Sequence, residues 1–348
     1  MQTHYSPKEL GYYFPAEFSP QRAMWLSWPH KEASWPGKID QIFPVYAQFA
    51  ALISRDQRVV ILVSNQEMKS LAIRYLTEAG AVMEQIDFLY IATNDAWCRD
   101  HGPAFLTHRT SGSKAIVDWG YNAWGGKYPP YDLDDDVPRK ISEHLGLPCY
   151  FPGIVMEGGS VEFNGTGTLL TTTSCLLNPN RNPHLSKRQI EEYLVVYYGV
   201  DHILWLGEGI VGDDTDGHID DITRFVNEKT VVTVVESDSS DENYGILKDN
   251  LKALSGMRLA DGCPLNIVEL PMPRPVVYDG QRLPASYANF YIGNKYVVMP
   301  TFRDDKHDVK ALDILQSCFP DRKVVGLDST DIIWGLGSFH CLSQQEPV

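Results

Sequence analysis

The sequence has no CxxC pair among its six cysteines, no run of about 18 apolar residues, and no surplus of basic side chains. Each absence removes a class of protein. The cysteines at 98, 149, 175, 263, 318 and 341 are scattered, which excludes a zinc site built from cysteine pairs and reads as reduced thiols. Without a long apolar run, no membrane-spanning helix and no membrane partner are expected. Acidic residues outnumber basic ones 45 to 30, for a formal charge of −15. Phosphate binding needs clustered Lys and Arg, so nucleic acid is not an expected partner. The same field favours a small cation as substrate. The opening residues MQTHYSPKELGYYF lack the charged and then apolar stretch of a secretion signal, and the protein is expected to be cytoplasmic. A hydrophobic share of 43% and a charged share of 22% fit a globular chain with a substantial core.

A repeat is written in pattern rather than in letters. Four paired strand-like runs are joined by turn residues: Ala104 to Trp119 around Ser111-Gly112-Ser113, Val161 to Thr172 around Asn164-Gly165, Ile222 to Val235 around Asn227-Glu228, and Asn289 to Met299 around Gly293-Asn294. Asn-Gly and Gly-Asn between β-rich runs are hairpin signals. Each hairpin precedes an amphipathic stretch and a short apolar run: Val137–Leu145 with Cys149–Phe151, Ser186–Tyr198 with His202–Leu206, Asp241–Leu254 with Leu265–Leu270, and Asp308–Phe319 with Lys323–Leu327. Ile39–Ile53 with Arg58–Val63 makes a fifth helix-plus-strand unit, followed by an extra helix (Gln66 to Ala79) and strand (Phe88 to Ala92). The fifth hairpin is missing. Ala23 to Trp28 and Phe339 to Ser343 are spare strand-like runs whose pairing would close a circle of repeats.

The unusual residues fall at one phase of this period, just before the hairpins. They are Asn94 to Asp100, Glu157-Gly158-Gly159-Ser160, the acidic run Asp213 to Asp221 around His218, and Gly335 to Cys341. Asp100, Glu157, His218 and Cys341 are spaced at roughly one, one and two repeats, so circular closure would bring them into one pocket. Carboxylate pairs hold the planar guanidinium fork. A thiolate can attack its central carbon, and a histidine can protonate the departing ammonia. Placed on a strand, His218 and Asp220 would share a face, whereas His340 would point away from Cys341.

Together these segments resemble the agmatine deiminase family, of the guanidine-modifying superfamily. The resemblance rests on AWCRDHGP (Ala96 to Pro103), YNAWGGKYPPYDLDD (Tyr121 to Asp135), MEGGSVEFNGTGTLLTT (Met156 to Thr172), LLNPNRNP (Leu176 to Pro183), GDDTDGHIDD (Gly212 to Asp221) and FHCLSQQEP (Phe339 to Pro347). It implies an α/β fold, a five-bladed α/β propeller of pseudo-fivefold ββαβ repeats (the pentein fold), with residues 1–348 as a single catalytic domain. It further implies a covalent amidino intermediate on Cys341, His218 as general acid and base, and Asp100, Glu157 and Asp220 as the acids around guanidinium and imidazole. Asp214 is carried over as a substrate-binding residue, and Asp95, Trp97 and Trp124 suit the distal ammonium of agmatine. No metal or organic cofactor is implied, and a homodimer is compatible. The alternative is a deiminase of free or peptide C-terminal arginine, whose carboxylate calls for an arginine clamp. Cys98 and Ser338 depart from the family's usual pattern beside the pocket, where either would alter its shape.

Overall fold

The computed structural model describes residues 5–348. Among them, five sheets of three or four strands form, together with a two-stranded hairpin, Val277–Tyr278 with Gln281–Arg282. Four of the five sheets contain one repeat unit each. An antiparallel pair is followed by a helix and by a third strand parallel to the second, as in Thr223–Asn227, Thr230–Val235 and Asn266–Pro271. A parallel neighbour needs a crossover connection, and the amphipathic helices supply it. Gly165 stands at φ 75°, which lets the chain reverse, and the Asn164 side chain accepts from the Thr166 and Thr168 amides.

The helix Lys187–Tyr198 shows why the periodic stretches become helices. Ser186 caps its start in a capping box with Gln189, and Gly199 ends it in the left-handed region at φ 66°. A side chain there would also meet the Tyr12 carbonyl, 2.4 Å from its Cβ. Ile190, Leu194 and Tyr198 form the buried face and pack with Phe14, Phe163 and Trp119. Removing each such side chain from water stabilises the fold by about 1.5–3 kcal/mol.

The fifth sheet joins the two ends of the chain. Gln21–Ser27 pairs in parallel with Arg58–Val63, which pairs with Ile86–Tyr90, while Ser343–Pro347 runs antiparallel to Gln21–Ser27. The expected pairing of the two terminal runs therefore forms, but in a different register. The C-terminal strand begins at Ser343, where the sequence reading ended it. Phe339–Leu342 is instead a turn, with the Leu342 amide donating to the Ser338 carbonyl and the Ser343 hydroxyl to the Phe339 carbonyl. The extra strand likewise lies two residues earlier than expected, at Ile86–Tyr90. No helix of the described residues is long and apolar enough to cross a membrane.

Candidate active site

Four short irregular segments meet beneath one cavity. Asp100 lies on the single helical turn Cys98–His101, Glu157 caps the 3-10 turn Gly158–Ser160, and His218 precedes a second 3-10 turn, Ile219–Asp221. Cys341 sits on the Phe339–Leu342 turn. His218 and Asp220 thus converge through a tight turn and not, as expected, through alternation along a strand. The His218 Nδ1 atom lies 3.8 Å from Asp100 Oδ1 and 3.9 Å from Asp220 Oδ1, and its Nε2 lies 3.8 Å from Glu157 Oε2. Cys341 Sγ is 3.6 Å from Asp220 Oδ2. The imidazole contacts are ion-pair distances, longer than hydrogen bonds. Both His218 nitrogens and Asp220 Oδ1 have no hydrogen-bond partner among the described residues although fully buried. Buried polar atoms are ordinarily paired, so these are free to serve a ligand.

The glycines of Glu157-Gly158-Gly159 permit this crowding. A Cβ on Gly159 would stand 2.5 Å from His218 Nδ1 and 2.9 Å from Asp100 Oδ1. The Gly159 amide instead donates to Asp100 Oδ1 at 2.9 Å. Trp124 donates through Nε1 to the other oxygen, Asp100 Oδ2, also at 2.9 Å. To reach it, Ala123 and Trp124 adopt positive φ values of 49° and 54°, a backbone conformation costly for non-glycine residues.

The electrostatics are dominated by burial. Burial pushes the Cys341 thiol well above its ordinary range; Asp220, Asp221 and Asp100 push it further, and the Asn289 amide pulls it back. Burial opposes the His218 imidazolium, but the Asp100 charge and other neighbouring acids outweigh it, so His218 titrates well above an ordinary histidine. Asp220 also resists desolvation and is held below the usual carboxylate range, chiefly by the His340 hydrogen bond. Burial and the Asp220 charge drive Asp221 well above that range. Burial acts most strongly on Glu157 and raises it, but Arg181 and His218 together outweigh it and leave the carboxyl below its usual range.

Above Cys341 opens a cavity of about 300 Å³, whose walls include Asp95, Trp97, Trp124, Tyr128, Asp214 and Trp334. All four residues expected to bind substrate therefore line it. The two acids are less free than expected: Lys31 lies 3.4 Å from Asp95 and Lys127 lies 3.3 Å from Asp214, while the Tyr128 hydroxyl also donates to Asp214. Trp97 is wedged against Trp35 and Gly337, where a Cβ would approach its ring to 2.6 Å. Arg99 turns away from the cavity to donate to Gln344 and Gln345. Cys98 and Ser338 do not themselves line the cavity: Cys98 is buried among Trp25 and Phe105, and Ser338 bonds to Ser329. His340 does not point away either, because the turn aims its Nδ1 at Asp220 Oδ2, 2.6 Å off, although His340 does not line the cavity.

Three residues at this site carried no role in the sequence reading. Asn289 reaches Cys341 Sγ through its amide nitrogen at 2.9 Å. It opens the fourth hairpin unit, at the same phase as Asp100, Glu157 and His218, and that position was the available signal. Arg181, fully buried, places Nε 2.6 Å from Glu157 Oε1 and Nη1 2.5 Å from Asp216 Oδ2. Its segment LLNPNRNP stood out, but nothing in the letters showed its target. Cys175 places its sulfur 3.9 Å from Glu157 Oε2, and Glu157, Cys175 and His218 could together offer a metal three ligand atoms within 4.8 Å of one another. The Arg181 cation fixed on Glu157 opposes a second positive ion there. As a nucleophile Cys175 is poorly placed: it has no exposed surface and does not line the cavity, whereas Cys341 does.

The sequence pattern of the Porphyromonas-type peptidyl-arginine deiminases matches residues 13–347. A Legionella pneumophila (strain Philadelphia 1) protein provisionally named agmatine deiminase is 35% identical, with 100% of this chain and 98% of that one covered. A solved structure described as the agmatine deiminase of Enterococcus faecalis catalysing its reaction has a TM-score of 0.92 at 34% identity, covering 99% of this chain and 98% of that one. A structure from Porphyromonas gingivalis, provisionally described as an arginine deiminase, has a TM-score of 0.86 at 36% identity, covering 97% and 98%.

Proposed function

The chain belongs to the Porphyromonas-type peptidyl-arginine deiminase family, and within it we propose that this protein is an agmatine deiminase, hydrolysing agmatine to N-carbamoylputrescine and ammonia. One observation carries the reading: a thiol, an imidazole and buried carboxylates converge under a cavity whose described lining contains no arginine and one lysine, itself facing Asp95. Arginine's carboxylate would lack a clamp there, whereas agmatine's ammonium meets acids and aromatic faces. The family's description and the Porphyromonas neighbour favour the second reading, a deiminase of free or peptide C-terminal arginine.

In the proposed cycle, the guanidinium lies against Asp100 and Asp220. Its positive charge offsets the carboxylates that hold the Cys341 thiol protonated, so with substrate bound the thiol gives up its proton to solvent. The thiolate adds to the guanidinium carbon, giving a neutral tetrahedral adduct. His218, whose raised value keeps it an imidazolium, donates its proton to one nitrogen, which leaves as ammonia. The Cys341 thiouronium remains, with a neutral imidazole. Water then attacks the same carbon, giving a proton to His218; the C–S bond breaks, the remaining hydroxyl proton passes to the departing Cys341 sulfur, and the neutral ureido product leaves. Glu157, kept ionised by Arg181, holds the imidazole by its far nitrogen. This cycle routes no step through a metal or organic cofactor.

We also read the five sheets as the blades of a five-bladed α/β propeller forming a single domain over residues 5–348, the first four residues of the expected 1–348 lying outside the described residues. Terminal pairing of Ser343–Pro347 with Gln21–Ser27 supports it, as does the bond from Asn164 to the Glu228 carbonyl of the next hairpin. Six free thiols support a reducing, cytoplasmic setting.

Mass spectrometry of enzyme quenched during turnover tests the proposal. The expected result is an amidino adduct on Cys341 and turnover of agmatine well above that of arginine or a C-terminal-arginine peptide. An adduct elsewhere overturns the mechanism, and equal or better turnover of arginine overturns the substrate.

A further inference from the structure

We infer that Asn289 is a further catalytic residue, whose amide N–H grips the Cys341 sulfur and supports the negative charge that forms on it. The inference rests on Cys341 being the nucleophile. The orientation of this amide is fixed by its surroundings. Two backbone donors, the His340 and Cys341 amides, face one Asn289 atom at 3.2 and 3.3 Å. Only an oxygen can accept from both, so the other atom is the nitrogen. That nitrogen has two hydrogens and two partners: Cys341 Sγ at 2.9 Å and Asp221 Oδ1 at 2.9 Å. With two donors and two acceptors all engaged, and 1% of its surface exposed, Asn289 has no freedom to turn.

The remaining groups facing the sulfur show why such a donor matters. Asp220 and Asp221 on the turn after His218 and Asp100 on the Cys98–His101 turn all resist a thiolate, and His340 is already committed to Asp220 and Glu17. Asn289 is the neutral donor among these acids. It also holds the Cys341 backbone amide, so the turn bearing the sulfur and the sulfur itself are fixed by one side chain. When the bound cation offsets the carboxylates and the thiol proton leaves, the Asn289 hydrogen bond becomes charge-assisted, which strengthens it.

The test reads the Cys341 thiol directly. The rate of iodoacetamide alkylation is measured against pH, with the adduct at Cys341 resolved by peptide mass from the other five cysteines. Asn289→Leu, neutral and of similar shape, and Asn289→Ala remove the donor without adding charge. The expected result is an upward displacement of the alkylation profile by about one unit or more, hence about tenfold slower modification at a fixed pH below it. A purely structural role would change melting and leave the profile in place. An unchanged profile in either folded variant overturns the inference. If neither variant folds, a high-resolution structure of the natural protein decides, and a nitrogen-to-sulfur separation beyond about 4 Å overturns it. Because alkylation needs no substrate, this result stands apart from the question of agmatine: loss of turnover in Cys341→Ser tests the nucleophile, and the alkylation profile tests Asn289.

Discussion

The floor and the rim of the cavity are both acidic, yet they are built on opposite terms. At the floor, Asp100, Glu157 and Asp220 are buried around an imidazole with unpartnered nitrogens. At the rim, Asp214 is partly open to solvent and shares Lys127 with Asp216, while Asp95, though buried, faces Lys31. Charges at the floor are desolvated and interact strongly; the lysine pairs at the rim are partly screened. In the proposed cycle the floor would set the chemistry through protonation states, and the rim would grade the distal group of the substrate by small energies. Changes at the floor should act on kcat and changes at the rim on KM.

The largest expected effect is at the sulfur. Cys341→Ser should lower kcat on the order of 10⁴-fold or more, while Cys175→Ser, behind Glu157, should leave a measurable fraction of activity. The reverse ranking would make Cys175 the nucleophile. Next comes Gly159→Ala, whose added methyl would displace His218 or Asp100; steady-state kinetics should show kcat reduced about 10²-fold with the fold intact by circular dichroism. Full activity in this variant would mean that the floor yields easily.

Between floor and rim, Asp134 accepts from the Asn94 and Asp95 amides at 2.7 and 3.3 Å and so holds the loop leading into the site. Burial chiefly, with the Asp95 charge, raises it to about 7, and burial with the Asp135 charge raises Asp118 to about 7. For a carboxyl raised on folding, the native state binds the proton more tightly than the unfolded chain. Stability therefore falls as pH rises from the ordinary carboxylate value, about 4, through about 7. Thermal melts should show this decline, and Asp134→Asn, which keeps the accepting oxygen, should flatten it by about 2 °C or more. An unchanged slope would place the titration elsewhere. The smallest effect belongs to the rim: Asp214→Asn should raise KM for agmatine roughly threefold to tenfold with little change in kcat. A kcat loss at the Gly159→Ala level would erase the distinction between rim and floor.

Much of the fold was legible because its signals are local. The hairpins around Asn164-Gly165 and Asn227-Glu228, and the helices Ile39–Ile53 and Val137–Leu145, follow from turn chemistry and periodicity alone. The meeting of Asp100, Glu157, His218 and Cys341 followed from their shared phase in the repeat. The misses are non-local. Arg181 and Asn289 take their roles from Glu157 and Cys341, far away in sequence. Phe339–Leu342 is apolar enough to read as a strand until its turn hydrogen bonds appear. The same fault misdirected His340, since alternation predicts direction only where the chain is extended.

The terminal ladder has a kinetic consequence. The turn carrying Cys341 runs directly into Ser343–Pro347, whose partner strand lies near the other end of the chain; the Trp25 indole and Glu346 that meet across it are 321 residues apart. Contacts of such long range tend to form late, after hairpins and helices have settled. A refolding chain would then regain its helical signal first and its reactivity last, and mild denaturant that frays this one ladder would silence the protein while most of its secondary structure persists.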